Sequence, residues 1–164
     1  FCIPTDSTVI NTETCTIPFS VLRPAPYSLT VLTEVVAKVT ATNTYGTSAD
    51  SSPSSGGVVI HTEPTQVSTP TTSSITARSI TVTWTALTAS ADIGDSAITS
   101  YALWYAAGPS YTYTEWKGYT SADTTTTATV TGLTPNTDYK FTVAAKNFYG
   151  WGTTSSASTV STTL

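Results

Sequence analysis

The chain has 164 residues, of which 39% are apolar and only 10% are charged, and its formal net charge is −4. This composition is typical of folded chains rather than disordered ones. The six Lys and Arg residues are scattered, so no basic stripe is available, and we expect neither nucleic acid nor a membrane surface as a partner. No apolar run approaches the roughly 18 residues that a membrane span requires, so we also expect no membrane insertion.

Thr and Val are abundant along the chain, which favours pleated β-structure over helices and predicts an all-β protein. Methionine is absent, and the first residue is Phe1. We therefore expect either a processed mature form or a window from a longer polypeptide, with missing upstream sequence in both cases.

The chain has two cysteines, Cys2 and Cys15, and they flank a strand-like stretch at residues 7–10. In a small secreted β-protein such a pair most often forms a hairpin disulfide, which is our prediction. The alternative is two reduced, buried thiols in a cytosolic protein. Two Cys and the single His61 cannot build a closed metal shell, so we predict no metal and no other cofactor.

One segment occurs twice. Residues 35–46, with the sequence VVAKVTATNTYG, return as residues 139–150, with the sequence YKFTVAAKNFYG. The second copy has a full β-domain's worth of chain before it, whereas the first has about half of one. We therefore expect the front module to be cut through its core and to be completed by the protein's main partner.

The chain from about residue 66 to residue 164 reads as short strands with turn signals about every ten residues, which is the pattern of a β-sandwich. Apolar residues alternate in most of these stretches and should face a core. They are, in chain order, Ile80, Val82 and Trp84; Tyr101, Leu103 and Tyr105; Trp116 with Tyr119; Ala128 and Val130; and Tyr139, Phe141, Val143 and Ala145.

Trp84 in the second of these strands, Leu133 and Pro135 before Tyr139, and Asn147 before Gly150 together resemble a fibronectin type III module. The resemblance implies a seven-strand sandwich of two antiparallel sheets, in which Tyr139 hydrogen-bonds back to the backbone of the corner before it. It implies no catalytic activity, because that fold serves mainly as a spacer, an adhesive or a scaffold.

The front segment resembles the C-terminal half of a diverged sister module. Residues 14–18, followed by Val21 and Leu22, stand where the strand before the corner would be, and Val35 replaces the corner tyrosine. It also resembles the cysteine-bearing fibronectin type III repeats of large surface proteins of single-celled eukaryotes, through the pieces Phe1-Cys2 and Cys15-Thr16-Ile17-Pro18 and the ending Thr42-Asn43-Thr44-Tyr45-Gly46. The predicted fold class is all-β, with two fibronectin type III or immunoglobulin-like sandwich modules at residues 1–63 and 64–164, the first of them incomplete. The junction at residues 61–64 contains a proline and predicts a stiff hinge.

Residues 1–60 contain no Trp, so the residue that fills a type III core is missing from the front module, and its apolar face should lie open. Such a face aggregates or associates unless something covers it. It could be completed by upstream residues of the same chain, by strands of a neighbouring copy, or by packing of a small disulfide-pinned sheet on the second module. The predicted face consists of Ile17, Leu22, Val35, Ala37, Val39, Val58 and Ile60.

Candidate catalytic and metal residues are few. His61 is the only histidine, and no nucleophile motif accompanies it, so we predict that the protein is not an enzyme. Asp92 and Asp95 could offer oxygens to Ca²⁺, but two carboxylates make a weak site, and we expect a polar turn there.

Two aromatic groups stand out. Tyr111, Tyr113, Trp116 and Tyr119 belong to one predicted hairpin, in which Tyr111 and Tyr113 should share one face of a strand. The second group surrounds the turn at Gly150 and should contact the next module or subunit; ordinary packing and sugar stacking are the alternatives. This predicted contact group is Phe148, Tyr149 and Trp151.

Thr and Ser tracts offer many hydroxyls, and no Asn in the chain stands in an Asn-x-Ser/Thr sequon. Any glycan would therefore be O-linked. The predicted positions are Thr69, Thr71, Thr72, Thr124, Thr125, Thr126 and Thr127.

We expect a secreted or cell-surface structural protein that forms the subunit or repeat of an extracellular filament or coat. Units would join head to tail, with strands of one unit completing the open module of the next, so the partners are other copies or adjoining modules of a longer chain, with O-linked glycans as a possible addition. The alternative is an adhesion or carbohydrate-binding module that uses exposed aromatic side chains.

Overall fold

The computed structural model describes residues 14–164, which fall into two compact units with the boundary between His61 and Thr62. Cys2 and the strand-like stretch at residues 7–10 lie outside the described residues. The pairing of Cys2 with Cys15 therefore stays a prediction.

The described part of the first unit has little regular structure. Its elements are α1 (Phe19–Leu22), β1 (Glu34–Val35), β2 (Thr42–Asn43), β3 (Gly46–Thr47) and β4 (Val58–Val59). The strands form two short antiparallel ladders, one between β1 and β4 and one between β2 and β3.

Residues 21–22, expected as part of a strand, instead belong to the single helical turn α1, so that prediction is wrong. Pro18 stands at the start of this turn, and Pro24 and Pro26 follow it. Proline has no N–H to donate to a β-ladder. A stretch bounded by prolines on both sides therefore turns instead of pairing as a strand.

The second unit is a sandwich of two antiparallel sheets. Its strands are β5 (Thr71–Ser73), β6 (Ser79–Thr83), β7 (Ser100–Ala107), β8 (Thr114–Lys117), β9 (Thr127–Thr131), β10 (Asp138–Asn147), β11 (Gly150–Trp151) and β12 (Ser158–Ser161). A three-stranded sheet has the order β5-β6-β9, and a five-stranded sheet has the order β11-β10-β7-β8, with β12 also paired to β10.

The core of the second unit lies between the two sheets. The alternation predicted for β6, β7 and β10 is confirmed, since these strands bury the expected residues, with Tyr105 packed at the margin. Tyr139 accepts a hydrogen bond at its hydroxyl from the backbone N–H of Thr134 at 2.9 Å, which is the predicted corner contact. The second unit therefore has the all-β fibronectin type III fold.

The prediction for residues 111–116 is wrong in part. Tyr111 has a φ of 49° and lies in a turn, and β8 begins only at Thr114. Tyr111 and Tyr113 therefore do not share a strand face. The Lys140 ammonium instead lies 4.0 Å from the centre of the Tyr111 ring, and Trp116 packs edge-on against Tyr105.

Candidate assembly interface

Residues 35–43 of the first unit, which we call the open segment, are hydrogen-bonded along one edge. Val35 pairs with Val58 of β4. Beyond it, the backbone N–H groups of three serines donate to the carbonyls of alternate residues in the open segment, over 2.8 to 2.9 Å. We call these serines the serine ladder; the pairs are Ser54 with Ala37, Ser51 with Val39 and Ser48 with Ala41.

Each ladder serine also accepts a hydrogen bond at its Oγ from the backbone N–H of the same partner residue, at 3.0 to 3.1 Å. Successive contacts are two residues apart in the open segment but three residues apart in the chain that carries the serines. Because of this mismatch, the backbone carbonyls of that chain cannot accept the N–H groups of the open segment in a regular ladder. The serine hydroxyls are the acceptors instead. The sequence therefore satisfies this edge without a regular strand.

The second unit repeats this arrangement at one constant offset along the chain. Ser155 donates its N–H to the Val143 carbonyl at 2.7 Å and accepts the Val143 N–H at its Oγ at 3.0 Å, as Ser51 does with Val39. The turn that follows is also the same: Asn147 Oδ1 accepts from the backbone N–H of Tyr149 and Gly150 at 2.8 and 3.2 Å. Asn43 Oδ1 does so from Tyr45 and Gly46 at 2.9 and 3.2 Å.

The two copies differ at the opposite edge. In the second unit, β10 pairs with β7 from Tyr139 to Lys146. In the first unit, no strand of the described range pairs with that edge of the open segment, and the backbone groups of Val36, Lys38 and Thr40 make no hydrogen bond there. Because successive residues of an extended chain point their backbone groups to opposite edges, these three residues form a free edge.

The two copies differ in the same way on their apolar face. Val143 is fully buried, whereas its counterpart Val39 is 70% exposed. Ala37 is exposed where its counterpart Phe141 is fully buried, and Val35 is only half-buried. The side of the segment that forms a sandwich core in the second unit is thus uncovered in the first.

The structure places the predicted interface residues of the first unit in different environments. Ile17, Ala37, Val39 and Val58 are exposed, and Leu22 and Val35 are half-buried. Ile60 is fully buried, so it is not available to a partner.

The aromatic residues predicted to surround Gly150 separate into two groups. Phe148 is 85% exposed and lies edge-on to Tyr149, with ring centres 5.3 Å apart. Trp151 instead joins Trp104 and Tyr119, and we call these three residues the aromatic cluster. Its ring centres are 5.3 to 6.2 Å apart, and the Lys146 ammonium lies 5.5 Å from the Trp151 ring centre.

Trp104 was missing from the sequence prediction, although the signal was present. Tyr101, Leu103 and Tyr105 alternate towards the core, which leaves Trp104 on the outer face of β7. It stands opposite Thr142 of β10, with Ala102 and Ala144 beside them. Small residues on the outer face of the sheet therefore leave room for the rings.

Two carboxylates fix the chain around Tyr119. Glu115 accepts hydrogen bonds from the backbone N–H groups of Thr120 and Tyr119, both at 2.8 Å, and the Thr120 bond is the main cause that lowers the Glu115 pKa. The Lys117 ammonium lies 2.8 Å from Asp123. This bond, together with those from Thr125, lowers the Asp123 pKa to about 2.

The threonines predicted to carry glycans differ in how their hydroxyls are used. Thr71 donates its hydroxyl to the Thr83 carbonyl, and Thr127 donates to the Val82 carbonyl. Thr69 and Thr124 are exposed. O-glycosylation stays a prediction.

His61 and Asp92 are the remaining candidates for chemistry. The His61 ring lies 5.9 Å from that of Phe19. Asp92 lies in a turn, and its carbonyl accepts a hydrogen bond from the backbone N–H of Thr65 at 2.8 Å. Over residues 14–164, no group of three His, Cys, Asp or Glu is arranged to hold a metal. Within that same range, no helix has the length and apolar character needed to cross a membrane.

The profile of the fibronectin type III domain matches residues 63–161. The chain therefore belongs to the fibronectin type III family. Domains of this family are commonly structural or adhesion modules of larger proteins, generally without catalytic activity, and they are frequent in extracellular and cell-surface proteins. No curated protein sequence matches the chain.

Solved structures share this fold. A crystal structure of domains from titin has a TM-score of 0.55 at 23% identity, over 80% of this chain and 41% of that one. A structure described as a myokine has a TM-score of 0.53 at 19% identity, over 62% of this chain and 100% of that one. The structure of titin kinase and its flanking domains has a TM-score of 0.52 at 25% identity, over 62% of this chain and 17% of that one. The chain thus spans 41% of one titin structure and 17% of the other.

Proposed function

We propose that the chain is a structural subunit or repeat of an extracellular filament or cell-surface coat, in which strands of a neighbouring unit complete the first module. The single observation that carries this proposal is the contrast between the two copies of the repeated segment. Val143 is sealed inside a sandwich, whereas Val39 is 70% exposed in an otherwise equivalent hydrogen-bonded setting.

The energetics favour completion. Fully burying a large apolar side chain such as Val39 contributes about 1.5 to 3 kcal/mol. The free edge at Val36, Lys38 and Thr40 adds main-chain hydrogen bonds, which is how an extended segment joins an exposed sheet edge. Such a contact joins two different surfaces, so it propagates into a fibre unless it closes into a ring.

A proline at position 38 tests this proposal. Lys38→Pro removes an N–H from the free edge but leaves every bond of the serine ladder intact, because the ladder uses residues 37, 39 and 41. We expect negative-stain micrographs to show filaments of the wild type and discrete particles of Lys38→Pro. The matched control is Lys38→Ala, which loses only the exposed ion pair to Asp50 and should still form filaments. Filaments of Lys38→Pro equal to those of the wild type would contradict the proposal.

A second function, carbohydrate binding, is favoured by the aromatic cluster. Tyr119 is 54% exposed and is stacked on Trp151, and aromatic rings on a sheet surface can bind the apolar face of a sugar. A glycan array should show binding that Trp151→Ala abolishes and Phe148→Ala leaves unchanged, since Phe148 lies outside the cluster. Absence of binding, or binding that is indifferent to Trp151→Ala, would exclude this function.

A further inference from the structure

The repeated asparagine has a different environment in each unit. Asn147 uses both ends of its amide: Oδ1 closes the turn after β10, and Nδ2 donates to the backbone carbonyls of Thr62 and Ile93 at 2.7 and 2.8 Å. Asn147 is accordingly buried, with 1% of its surface exposed. Asn43 closes the same turn through Oδ1 but is exposed, and its Nδ2 has no partner among residues 14–164.

The two carbonyls bound by Asn147 belong to separate segments of the second unit. Thr62 lies in the segment that leads into the second unit, and Ile93 lies in the loop between β6 and β7. Next to them, Thr62 donates its N–H to the Gly94 carbonyl at 3.1 Å. A Cβ on Gly94 would lie 2.1 Å from the Thr62 carbonyl oxygen, so only glycine permits this approach. Asn147 thus binds the lead-in segment and the β6–β7 loop to the end of β10.

The turn after the open segment uses only the Oδ1 acceptor of Asn43 and does not require the Nδ2 donor. An aspartate would accept the same two backbone hydrogen bonds in that turn. The amide differs from an aspartate in having the Nδ2 donor. In the second unit, the equivalent donor of Asn147 makes both of its hydrogen bonds to main-chain carbonyls of the leading half of the module, which is the part that precedes β10.

We propose that Asn43 recognises the chain that completes the first unit, by donating its Nδ2 to main-chain carbonyls of that chain. This inference rests on the proposed function and names the partner by its chemistry. The partner is the leading half of a fibronectin type III module, with a glycine-containing loop followed by a strand that resembles β7. That strand runs antiparallel to the open segment and presents a large apolar side chain at every second position, as Tyr101, Leu103 and Tyr105 do.

An intact second unit of another copy cannot play this part. Its β7 is already hydrogen-bonded on both edges, to β10 and to β8, and its loop carbonyl at Ile93 is already bound by Asn147. The occupant is therefore a leading half that is not closed on a β10 of its own, and a neighbouring unit supplies it only when its residues 62–107 leave their own β10 and are exchanged onto the open segment. The Asn43 amide distinguishes such a half from a finished module.

The experiment titrates the full chain with a synthetic peptide of residues 91–107, which holds the loop and β7 of this protein. Calorimetry should show binding at one peptide per chain. In nuclear magnetic resonance spectra of the labelled wild-type chain, the side-chain NH₂ signals of Asn43 and the backbone signals of Val36, Lys38 and Thr40 should shift. The spectra need no variant, so the proposal stays testable even if a substitution fails to fold.

Asn43→Asp keeps the acceptor of the turn and removes the donor. We expect this variant to bind the peptide about fivefold more weakly, since the hydrogen bond to the Ile93 carbonyl, which is the one of the two carbonyls that the peptide contains, is lost. Thr44→Asp, which places the same charge on the next residue and leaves the amide intact, is the matched control and should bind within about twofold of the wild type.

The possible failures are distinguishable. Equal binding by Asn43→Asp and the wild type, or unshifted Asn43 signals on binding, would overturn the role of Asn43 and leave strand completion standing. No peptide binding, in a protein whose filaments are abolished by Lys38→Pro, would overturn the named partner alone. Filaments that survive Lys38→Pro would instead contradict the proposed function.

Discussion

Val39 and Val143 are chemically the same residue at equivalent places of one repeated segment, and they differ in what covers them. Val143 is fully buried between two sheets, whereas Val39 is 70% exposed. The backbone of each is bound to a serine in the same way. The pair therefore isolates the effect of the covering sheet from that of local structure.

Truncating each valine to alanine should have unequal effects on the unassembled chain. Val143→Ala should lower the free energy of unfolding of the second unit by about 2 kcal/mol, because it removes buried methyl groups and leaves a cavity. Val39→Ala should change stability by less than about 0.5 kcal/mol, as is usual for exposed positions. Urea unfolding followed by circular dichroism measures both. A loss for Val39→Ala as large as that for Val143→Ala would show that Val39 is already covered.

Asp123 gives a prediction about pH. Its pKa in the folded chain is about 2, against an ordinary value of 3.8, chiefly because of the Lys117 ammonium. The ionised carboxylate therefore stabilises the folded state above about pH 4, and this contribution is lost as the pH falls towards 2. Asp123→Asn should be less stable than the wild type at pH 7, and the difference should shrink between pH 4 and pH 2.

The matched control for Asp123 is Asp50→Asn. The ion pair of Asp50 with Lys38 is 3.5 Å long, and both side chains are more than half exposed, so its removal should change stability little. Urea midpoints of the two variants across this pH range provide the test. A constant stability difference between Asp123→Asn and the wild type from pH 7 to pH 2 would contradict the account.

At the scale of elements, the serine ladder satisfies the backbone hydrogen bonds of the open segment that a paired strand satisfies in a regular sheet. Ser51 and Ser155 hold equivalent positions, and each also donates its hydroxyl to the carbonyl of the following serine at 2.9 Å. Ser155 is buried and Ser51 is exposed. Water can replace the lost hydroxyl only at the exposed position.

Ser155→Ala should therefore cost more than Ser51→Ala. Leaving the buried Val143 N–H without an acceptor costs about 1 to 3 kcal/mol, whereas a typical hydrogen bond contributes about 1 kcal/mol or less net. Amide hydrogen exchange at Val143 and at Val39 reports each loss locally. Equal effects of the two substitutions would show that the environments of the two serines do not differ as described.

Some elements of the fold could be predicted from the sequence and others could not. Strands β6, β7 and β10 and the Tyr139 corner were predictable, because alternation and turn residues act locally. The helical turn α1 was not, because prolines on either side of it exclude a ladder that the apolar pattern alone suggests. The serine ladder was missed as well, since its spacing of three matches neither a helix nor a strand.

The candidate site was predictable only in outline. The repeated segment and the short chain before its first copy indicated an uncovered face, and the exposures of Val39 and Val58 fit that expectation. The individual contacts depend on three-dimensional neighbours instead. Ile60 was expected on the open face but is buried, and Trp151 meets Trp104 rather than the adjacent Phe148.

At the scale of the whole molecule, glycosylation would change the surface without changing the fold. Thr69 and Thr124 are exposed and could carry O-linked sugar without loss of a core contact. The intact mass of the 164-residue chain, secreted from a eukaryotic host, should exceed the 17.1 kDa of the polypeptide by sugar increments. A mass equal to that of the polypeptide less the hydrogens of one disulfide would exclude glycosylation.

The central claim is that a neighbouring unit covers the free edge of the open segment. Hydrogen–deuterium exchange of assembled and unassembled protein, read by mass spectrometry over residues 35–43, tests it directly, with residues 139–147 as an internal reference. We predict that residues 35–43 exchange much faster than the reference in the unassembled chain and become about as protected as the reference on assembly. Equally fast exchange of residues 35–43 in both states would contradict the claim.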